Sequence, residues 1–376
     1  MAKFLENAWY VAAWSGEVGR TPLPRTLLER AVLFYRLEDG TPVAMQDRCP
    51  HRFVPLSKGE VRGNEIMCGY HGLTFDQAGR CTHRRATDIA RERFCVPTYV
   101  LEERYGAIWI WMGESGLADP DLIPRFDFFD SPTHIVAGQG LTYIKANYTL
   151  EIDNLLDLSH LDFVHAKTIS NGKVTEGRYN VYQKGNTVHS DWFIPATVAP
   201  RQFADLITMS NDRRWEGAKR DMIVDHWLDM RWDAPGSLFL DVGVAPAGTD
   251  RKCPIDMPQA HFVTPETEYS THYFWIYSMT ALGQPEALLD GFLDIVKIAF
   301  DQEDRPMIEA QQGAMKSADF WVEQPMILAE DSGAVRARRV LDKLIREENR
   351  AGEPAKPPAP EPRSLSTAAP DERNLA

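Results

Sequence analysis

Two short stretches each set one thiolate beside one imidazole. The first is Cys49-Pro50-His51, and sixteen residues later comes Cys68-Gly69-Tyr70-His71. Two Cys and two His can hold a zinc ion. They can also hold a [2Fe–2S] cluster in which both thiolates sit on one iron and both imidazoles on the other. The loop chemistry favours the cluster. Each loop offers one ligand of each kind, and Pro50, Pro55, Gly69 and Gly72 let backbone close around inorganic sulfides that need N–H donors. Cys81, Cys95 and Cys253 lie outside the pattern and read as small core residues.

A second constellation follows in Asn154-Leu-Leu-Asp157-Leu-Ser-His160-Leu-Asp-Phe-Val-His165. Two imidazoles and a distant carboxylate would form a 2-His-1-carboxylate site for Fe(II), with positions left open for O2 and substrate. Incidental histidines on an amphipathic helix are the plain alternative. Residues five apart lie about 140° apart around an ideal helix. Convergence therefore requires a distorted helix, such as a π-type turn. Asp157 stands three residues before His160, where a helix would set its carboxylate beside that imidazole. The third ligand must come from elsewhere. Asp301, Glu303 and Asp304 crowd together on a later helix, and their spacing does not choose among them.

The elements that must hold these residues can be read from pattern. From about Asn7 to Gly113 the chain is a run of short strands punctuated by Gly and Pro, among them Val32–Leu37, Pro42–Gln46 and Gly106–Trp111. A single helix is expected over Asn147–His165. Leu141–Ala146, Thr187–Phe193, Ser237–Val244 and Tyr269–Met279 read as strands of an antiparallel sheet. Gln284–Gln312 reads as a long helix bent at Pro306, and Gly333–Asn349 as a last helix capped by Asp331 or Ser332. The class is α+β: an all-β domain over residues 1–115, then a mixed domain over 116–349. The segment from Ala351 to Ala376 holds six of the 25 prolines and no aromatic, so residues 350–376 are expected to form a disordered tail.

The bulk properties exclude some functions. A net charge of −13 argues against a general nucleic-acid or anionic-membrane surface. No stretch approaches the ~20 apolar residues of a membrane span, and Met1–Tyr10 lacks the zones of a signal peptide. Five cysteines, an odd number, argue against a disulfide framework. A reducing cytoplasm is the expected location. The chain carries no GxGxxG-type dinucleotide motif of its own.

With both constellations in view, the sequence resembles the oxygenase components of Rieske ring-hydroxylating and O-demethylating enzymes. Within them it is most similar to vanillate O-demethylase oxygenase subunits and relatives such as dicamba monooxygenase. The resemblance runs from Asn7-Ala-Trp-Tyr-Val-Ala to about Ile345. It includes Asp47-Arg-Cys-Pro-His-Arg, Cys68-Gly-Tyr-His-Gly-Leu, Glu103-Arg-Tyr-Gly-Ala-Ile-Trp-Ile-Trp, Asp153-Asn-Leu-Leu-Asp-Leu-Ser-His, Val263-Thr-Pro-Glu and Tyr273-Phe-Trp. It implies a helix-grip sheet in the second domain. It also implies a Rieske cluster on Cys49, His51, Cys68 and His71, and mononuclear Fe(II) on His160, His165 and Asp304, the second acid of the Glu303-Asp304 pair. Asn154 and Asp157 join the catalytic set. The resemblance gives Asp157 a further role: joining His160 to His71 of a neighbouring subunit, so that electrons cross between subunits of a homotrimer.

The resemblance also implies a partner, an NAD(P)H-dependent reductase carrying flavin and a plant-type [2Fe–2S] centre. The expected reaction is O2-dependent O-demethylation of a methoxy-aromatic acid, giving a phenol and formaldehyde. Hydroxylation of a methyl group or ring by the same metals is the alternative. A pure electron-transfer protein would not need the residues beyond Gly113. Leu240, His261 and Ile295 line the substrate pocket by the same resemblance. His261 would either bind a carboxylate or phenol there or be an ordinary core histidine.

Overall fold

The computed structural model describes residues 3–82 and 95–351; the Pro-rich tail, 352–376, lies outside the described residues. The first unit contains β1 (Trp9–Trp14), β2 (Leu23–Leu27), β3 (Arg30–Arg36), β4 (Pro42–Gln46), β5 (Glu60–Arg62), β6 (Glu65–Met67), β7 (Thr74–Phe75), β8 (Thr98–Arg104) and β9 (Ala107–Trp111). They form an antiparallel six-stranded sheet, β1-β9-β8-β4-β3-β2, and a small sheet, β5-β6-β7. The buried Leu33, Tyr35, Met45, Leu56, Ile66 and Phe75 pack between them. The loops carrying the two Cys-His pairs leave the ends of β4 and β6, one from each sheet.

The second unit is built on one eight-stranded antiparallel sheet. Its strands are β10 (His134–Ile144), β11 (Arg178–Lys184), β12 (Thr187–Val198), β13 (Ile223–Asp233), β14 (Ser237–Pro246), β15 (Ile255–Asp256), β16 (Gln259–Thr267) and β17 (Ser270–Thr280). The order is β10-β17-β16-β14-β13-β12-β11, with β15 on β14. The strands expected from pattern are present. β13 and β16 carry no clean alternation, because β13 interleaves Asp225, His226 and Asp229 with buried apolar residues.

Helices α1 (Tyr148–Leu156), α2 (Leu161–Val164), α3 (Arg201–Met209), α4 (Glu286–Ile298), α5 (Arg305–Ala314) and α6 (Ser332–Ala351) pack on this sheet. α1 lies on β13, β16 and β17 and also touches α5 and α6. Arg338 of α6 holds Asp153 of α1 through bonds of 2.6–2.9 Å, and Arg338 is nearly buried. Removing one member of such a pair costs about 3–5 kcal/mol, so α1 is firmly located. The two units share a continuous core, joined by bonds such as Thr264 Oγ1 to Val11 O (2.7 Å) and Leu28 N to Pro265 O (2.9 Å).

Two helix expectations need correction. The single helix over Asn147–His165 is broken: α1 ends at Leu156, Asp157 adopts φ −107, ψ 85, and a 3-10 turn spans Leu158–His160 before α2. The helix expected to bend at Pro306 instead contains a π-turn at Ala299–Asp304, ahead of the proline. Pro306 is the second residue of α5 and follows that turn directly. The last helix begins at Ser332 and runs to Ala351, two residues beyond the expected end.

Candidate metal centres and substrate cavity

The two Cys-His loops share one backbone design. Cys49 N–H donates to Val54 O (2.9 Å) and Phe53 N–H to Cys49 O (2.9 Å). Likewise Cys68 N–H donates to Leu73 O (2.7 Å) and Gly72 N–H to Cys68 O (3.0 Å). Each reversal passes through the left-handed region, at Phe53 (φ 64) and Gly72 (φ 73). Asp47 closes the base of the first loop by accepting from Ser57 N (2.7 Å) and Oγ (2.6 Å). Gly69 and Gly59 let the loops meet: a Cβ on Gly69 would lie 2.6 Å from Lys58 O, and one on Gly59 1.9 Å from Met67 O.

Cys49 and Cys68 are buried side by side, and burial pushes the Cys49 thiol up. His51 and His71 are exposed, with ring centroids 4.7 Å apart. Thiols grouped on one side and imidazoles on the other suit a cluster that takes sulfur at one iron and nitrogen at the other. A single zinc ion would draw all four donors to one point.

The second centre lies between α2 and the π-turn. Nε2 of His165 is 3.1 Å from Asp304 Oδ1, and Nε2 of His160 is 3.6 Å from the same oxygen. One ligand atom from each of the three residues falls within 4.8 Å of the others. The outer ring nitrogens are both engaged. His160 Nδ1 donates to Asp157 O (2.5 Å) and His165 Nδ1 to the Glu303 carboxylate (2.8 Å), which also accepts from Thr168 Oγ1 (2.7 Å). A carbonyl and a carboxylate can only accept, so both protons are fixed on Nδ1 and both Nε2 atoms present lone pairs. Those lone pairs face a carboxylate oxygen that also has only lone pairs to offer. Three such donors converging in a nearly buried space fit a cation. Burial pushes the His160 imidazole down; in His165 the same burial is outweighed by Asp304 and Glu303, which hold it up.

The crowded acids have separate tasks. Asp301 accepts from Thr142 Oγ1 (2.7 Å), Glu303 orients His165, and Asp304 faces both imidazoles. The distortion expected between the histidines is therefore a 3-10 turn, and the π-turn occurs on the acid-bearing helix. Asn154 Nδ2 reaches Asp304 Oδ1 at 3.4 Å. For Asp157 the expectation is corrected: its backbone carbonyl, not its carboxylate, holds His160, while Oδ1 accepts from Ser159 N (3.0 Å). The side chain lines a surface cavity of about 390 Å³ that also exposes His160, Met307, Ile327 and Val335.

On its inner side the triad opens on a narrow cavity lined by Leu158, Met230, Leu240, Met257, Gln259 and His261, with Phe300 and Val296 from the π-turn and α4. Leu240 and His261 are where the resemblance puts them. Ile295 is not: it is 36% exposed on the outer side of α4, and Val296, 100° round the helix, takes its place. His261 is 1% exposed; its Nδ1 meets Tyr273 Oη at 2.8 Å, and its Nε2 has no hydrogen-bond partner. Burial pushes this imidazole down to about 3, so it is neutral. Sequence reading missed Gln202, from the start of α3, whose Oε1 is buried without a partner. It also missed Glu151, a buried acid on the apolar stripe of α1. Burial and the nearby Asp304 push its carboxyl well up. The signal for Glu151 was its i, i+4 and i+7 alignment with Leu155 and Leu158.

A sulfur-and-imidazole cluster fold joined to a His-His-Asp centre in a helix-covered antiparallel sheet defines a non-haem iron oxygenase fed by a Rieske cluster. Comparison with known proteins gives the particular group. The Rieske [2Fe-2S] domain matches residues 8–99, and the vanillate O-demethylase oxygenase C-terminal domain matches residues 144–347. The oxygenase component of chloroacetanilide N-alkylformylase from Rhizorhabdus wittichii (strain DC-6 / KACC 16600) is 33% identical, over 92% of this chain and 97% of its own. The vanillate O-demethylase oxygenase subunit of Pseudomonas sp. (strain HR199 / DSM 7063) is 34% identical, over 94% and 98%. A crystal structure of dicamba monooxygenase bound to 3,6-dichlorosalicylic acid superposes with a TM-score of 0.81 at 33% identity, covering 93% of this chain and 99% of that one. The chain belongs to the vanillate O-demethylase family of Rieske oxygenase components. Its cofactors are a [2Fe–2S] cluster and a mononuclear iron. Among the described residues, no helix is long and apolar enough to cross a membrane.

Glu303 yields a first prediction. Glu303→Gln keeps an acceptor near His165 but removes the negative charge that fixes its tautomer. Iron affinity, measured by dialysis against a chelator, should fall about 10–100-fold, the usual cost of losing a partner that orients a ligand. The visible spectrum of the cluster should not change.

Proposed function

We propose that this oxygenase removes an O-methyl group from a small methoxy-aromatic compound, giving a phenol and formaldehyde. Cys49, Cys68, His51 and His71 hold the cluster in a domain spanning 1–115. His160, His165 and Asp304 hold the iron in a domain spanning 116–349. The observation that carries the reading is that two lone-pair-bearing Nε2 atoms and a carboxylate oxygen form one wall of an otherwise largely apolar cavity. The iron, once bound and reduced, supplies O2 activation. One O2, two electrons and two protons convert the methyl ether to phenol, formaldehyde and water; hydroxylation of the methyl carbon leaves a hemiacetal that breaks its own C–O bond. The protein's residues hold the ring and exclude bulk water. Leu158, Met230, Leu240 and Met257 supply the apolar surface. His160 and His165 stay in the ligating tautomer through Asp157 O and Glu303.

The electrons come from a separate NAD(P)H-dependent reductase with flavin and a plant-type [2Fe–2S] centre, and the working unit is a homotrimer. The exposure of His51 and His71 supports this arrangement, as does the surface opening to His160 beside Asp157. An exposed imidazole pair on one protomer can face that opening on the next.

The test is a panel of methoxy- and methyl-substituted aromatics, supplied with O2, NADH and a surrogate reductase. Formaldehyde should appear in a 1:1 ratio with the phenol. A hydroxylated product without formaldehyde would replace demethylation by the alternative reading.

A further inference from the structure

On the helix side of β12 the buried residues are Val188, Ser190, Trp192 and Ile194. Ser190 carries the one hydroxyl in this row and is 0% exposed. Its Oγ–H donates to Leu156 O at 2.7 Å. Leu156 is the last residue of α1, directly before the break at Asp157. In a helix that continued, this carbonyl would accept the N–H four residues on, which is that of His160. A hydroxyl from the sheet therefore takes the place of the histidine's own backbone N–H. Groups from two more elements meet at the same point. Tyr179 Oη, on β11, lies 3.2 Å from Ser190 Oγ, donates to Glu330 O (3.0 Å) and accepts the Gly333 N–H (3.2 Å) at the start of α6. A Cβ on Gly333 would lie 2.9 Å from Ser190 Oγ and 3.5 Å from Leu156 O, so a larger residue there would press on the hydroxyl.

We infer that Ser190 is a positioning residue for His160, acting through the carbonyl of Leu156. The inference rests on the reading above that His160 is an iron ligand, and it goes beyond that reading. The last carbonyls of a helix have no partner within it, and a buried one left unpaired costs more than a made bond gains. Without the Ser190 hydroxyl, the nearest donor for Leu156 O is the His160 N–H, reached by letting α1 continue. Continuation would also turn Asp157 O onto the Leu161 N–H. That carbonyl now holds His160 Nδ1 at 2.5 Å and so fixes the proton there. Once it is withdrawn, the imidazole is free to rotate and Nε2 is no longer aimed at Asp304. Ser190 thus keeps the chain out of helical register at the one place where the histidine needs it.

Three variants of the full chain decide the matter, each with the cluster oxidised and EPR-silent. Two readouts are taken: iron affinity by dialysis against a chelator, and the EPR spectrum of the ferrous site exposed to nitric oxide. Ser190→Ala should lower iron affinity about tenfold and alter that spectrum, while the visible spectrum of the cluster stays as it was. Val188→Ala is the control for a merely structural role. Val188 is 0% exposed in the same row, and its apolar side chain bonds nothing on α1. It should lower the melting temperature at least as much as Ser190→Ala, through the cavity it leaves, without moving either iron readout. His160→Ala should lose the iron. If Ser190→Ala binds iron as the unaltered protein does and gives the same spectrum, or if Val188→Ala matches its loss, the positioning role is overturned. If His160→Ala keeps both the iron and the spectrum, the ligand assignment itself falls and takes the inference with it.

Discussion

Asp304→Ala should lower turnover to the assay background and strip the mononuclear iron, while the visible and EPR signals of the cluster persist. The reason is geometric. Asp304 Oδ1 is the one atom that both Nε2 atoms face, at 3.1 and 3.6 Å. Without it, two neutral imidazoles remain, and a divalent cation in a nearly buried space has no counter-charge there. Asp301 cannot substitute, since it is committed to Thr142 at 2.7 Å. Glu303 cannot do so without releasing His165. Iron determined by elemental analysis against acid-labile sulfide separates the centres: sulfide unchanged, total iron reduced by one atom per chain. Full activity in this variant would show that the acid was wrongly chosen.

The second large effect is expected from Asp157→Asn. The amide keeps the acceptor that bonds Ser159 N, so the 3-10 turn should form. The Asp157 carbonyl that holds His160 is backbone and is untouched. Both metals should therefore be retained. What changes is the negative charge in the surface cavity beside His160, where the proposed trimer would bring a neighbour's His71. Iron reduction by a pre-reduced cluster, followed in a single turnover without reductase, should slow about 10–100-fold. Loss of iron in this variant would reduce Asp157 to a structural support of its own turn. Normal single-turnover rates would remove the bridging role, and a monomeric yet fully active protein would remove the route between subunits.

Much of the site was legible because metal ligands impose residue types that few other pressures do. Cys49, His51, Cys68 and His71 stand out by identity and spacing, whereas His160 and His165 had an incidental pair as their alternative until the resemblance joined them to Asp304. The selection among Asp301, Glu303 and Asp304 was not legible from spacing. Three acids in four residues can be assigned only when the turn carrying them is known to be π, because that turn decides which one points inward. The break at Asp157 was hidden for the opposite reason. Leu155, Leu156, Leu158 and Leu161 continue an apolar run across it, so pattern reads straight through a place where the backbone changes course. Glu151 escaped notice although it falls in step with Leu155 and Leu158, and Gln202 because it follows Arg201 in a stretch with no apolar run. The meaning of each lies in the partner that its buried oxygen lacks, and only packing shows that.

The π-turn between α4 and α5 also sets the phase between two buried faces. Before it, Phe292 and Val296 are buried, and Val296 meets the substrate cavity. After it, Ile308 and Gln312 are buried, and Gln312 accepts the Asn147 N–H at 2.9 Å where α1 begins. A continuous α-helix would couple these faces at a fixed 100° per residue, so that adjusting one would turn the other. An interposed π-turn, one residue longer per closed ring, absorbs that phase difference and leaves Asp304 at the seam. Substitutions in α4 can then reshape what the cavity accepts without rotating the iron's carboxylate.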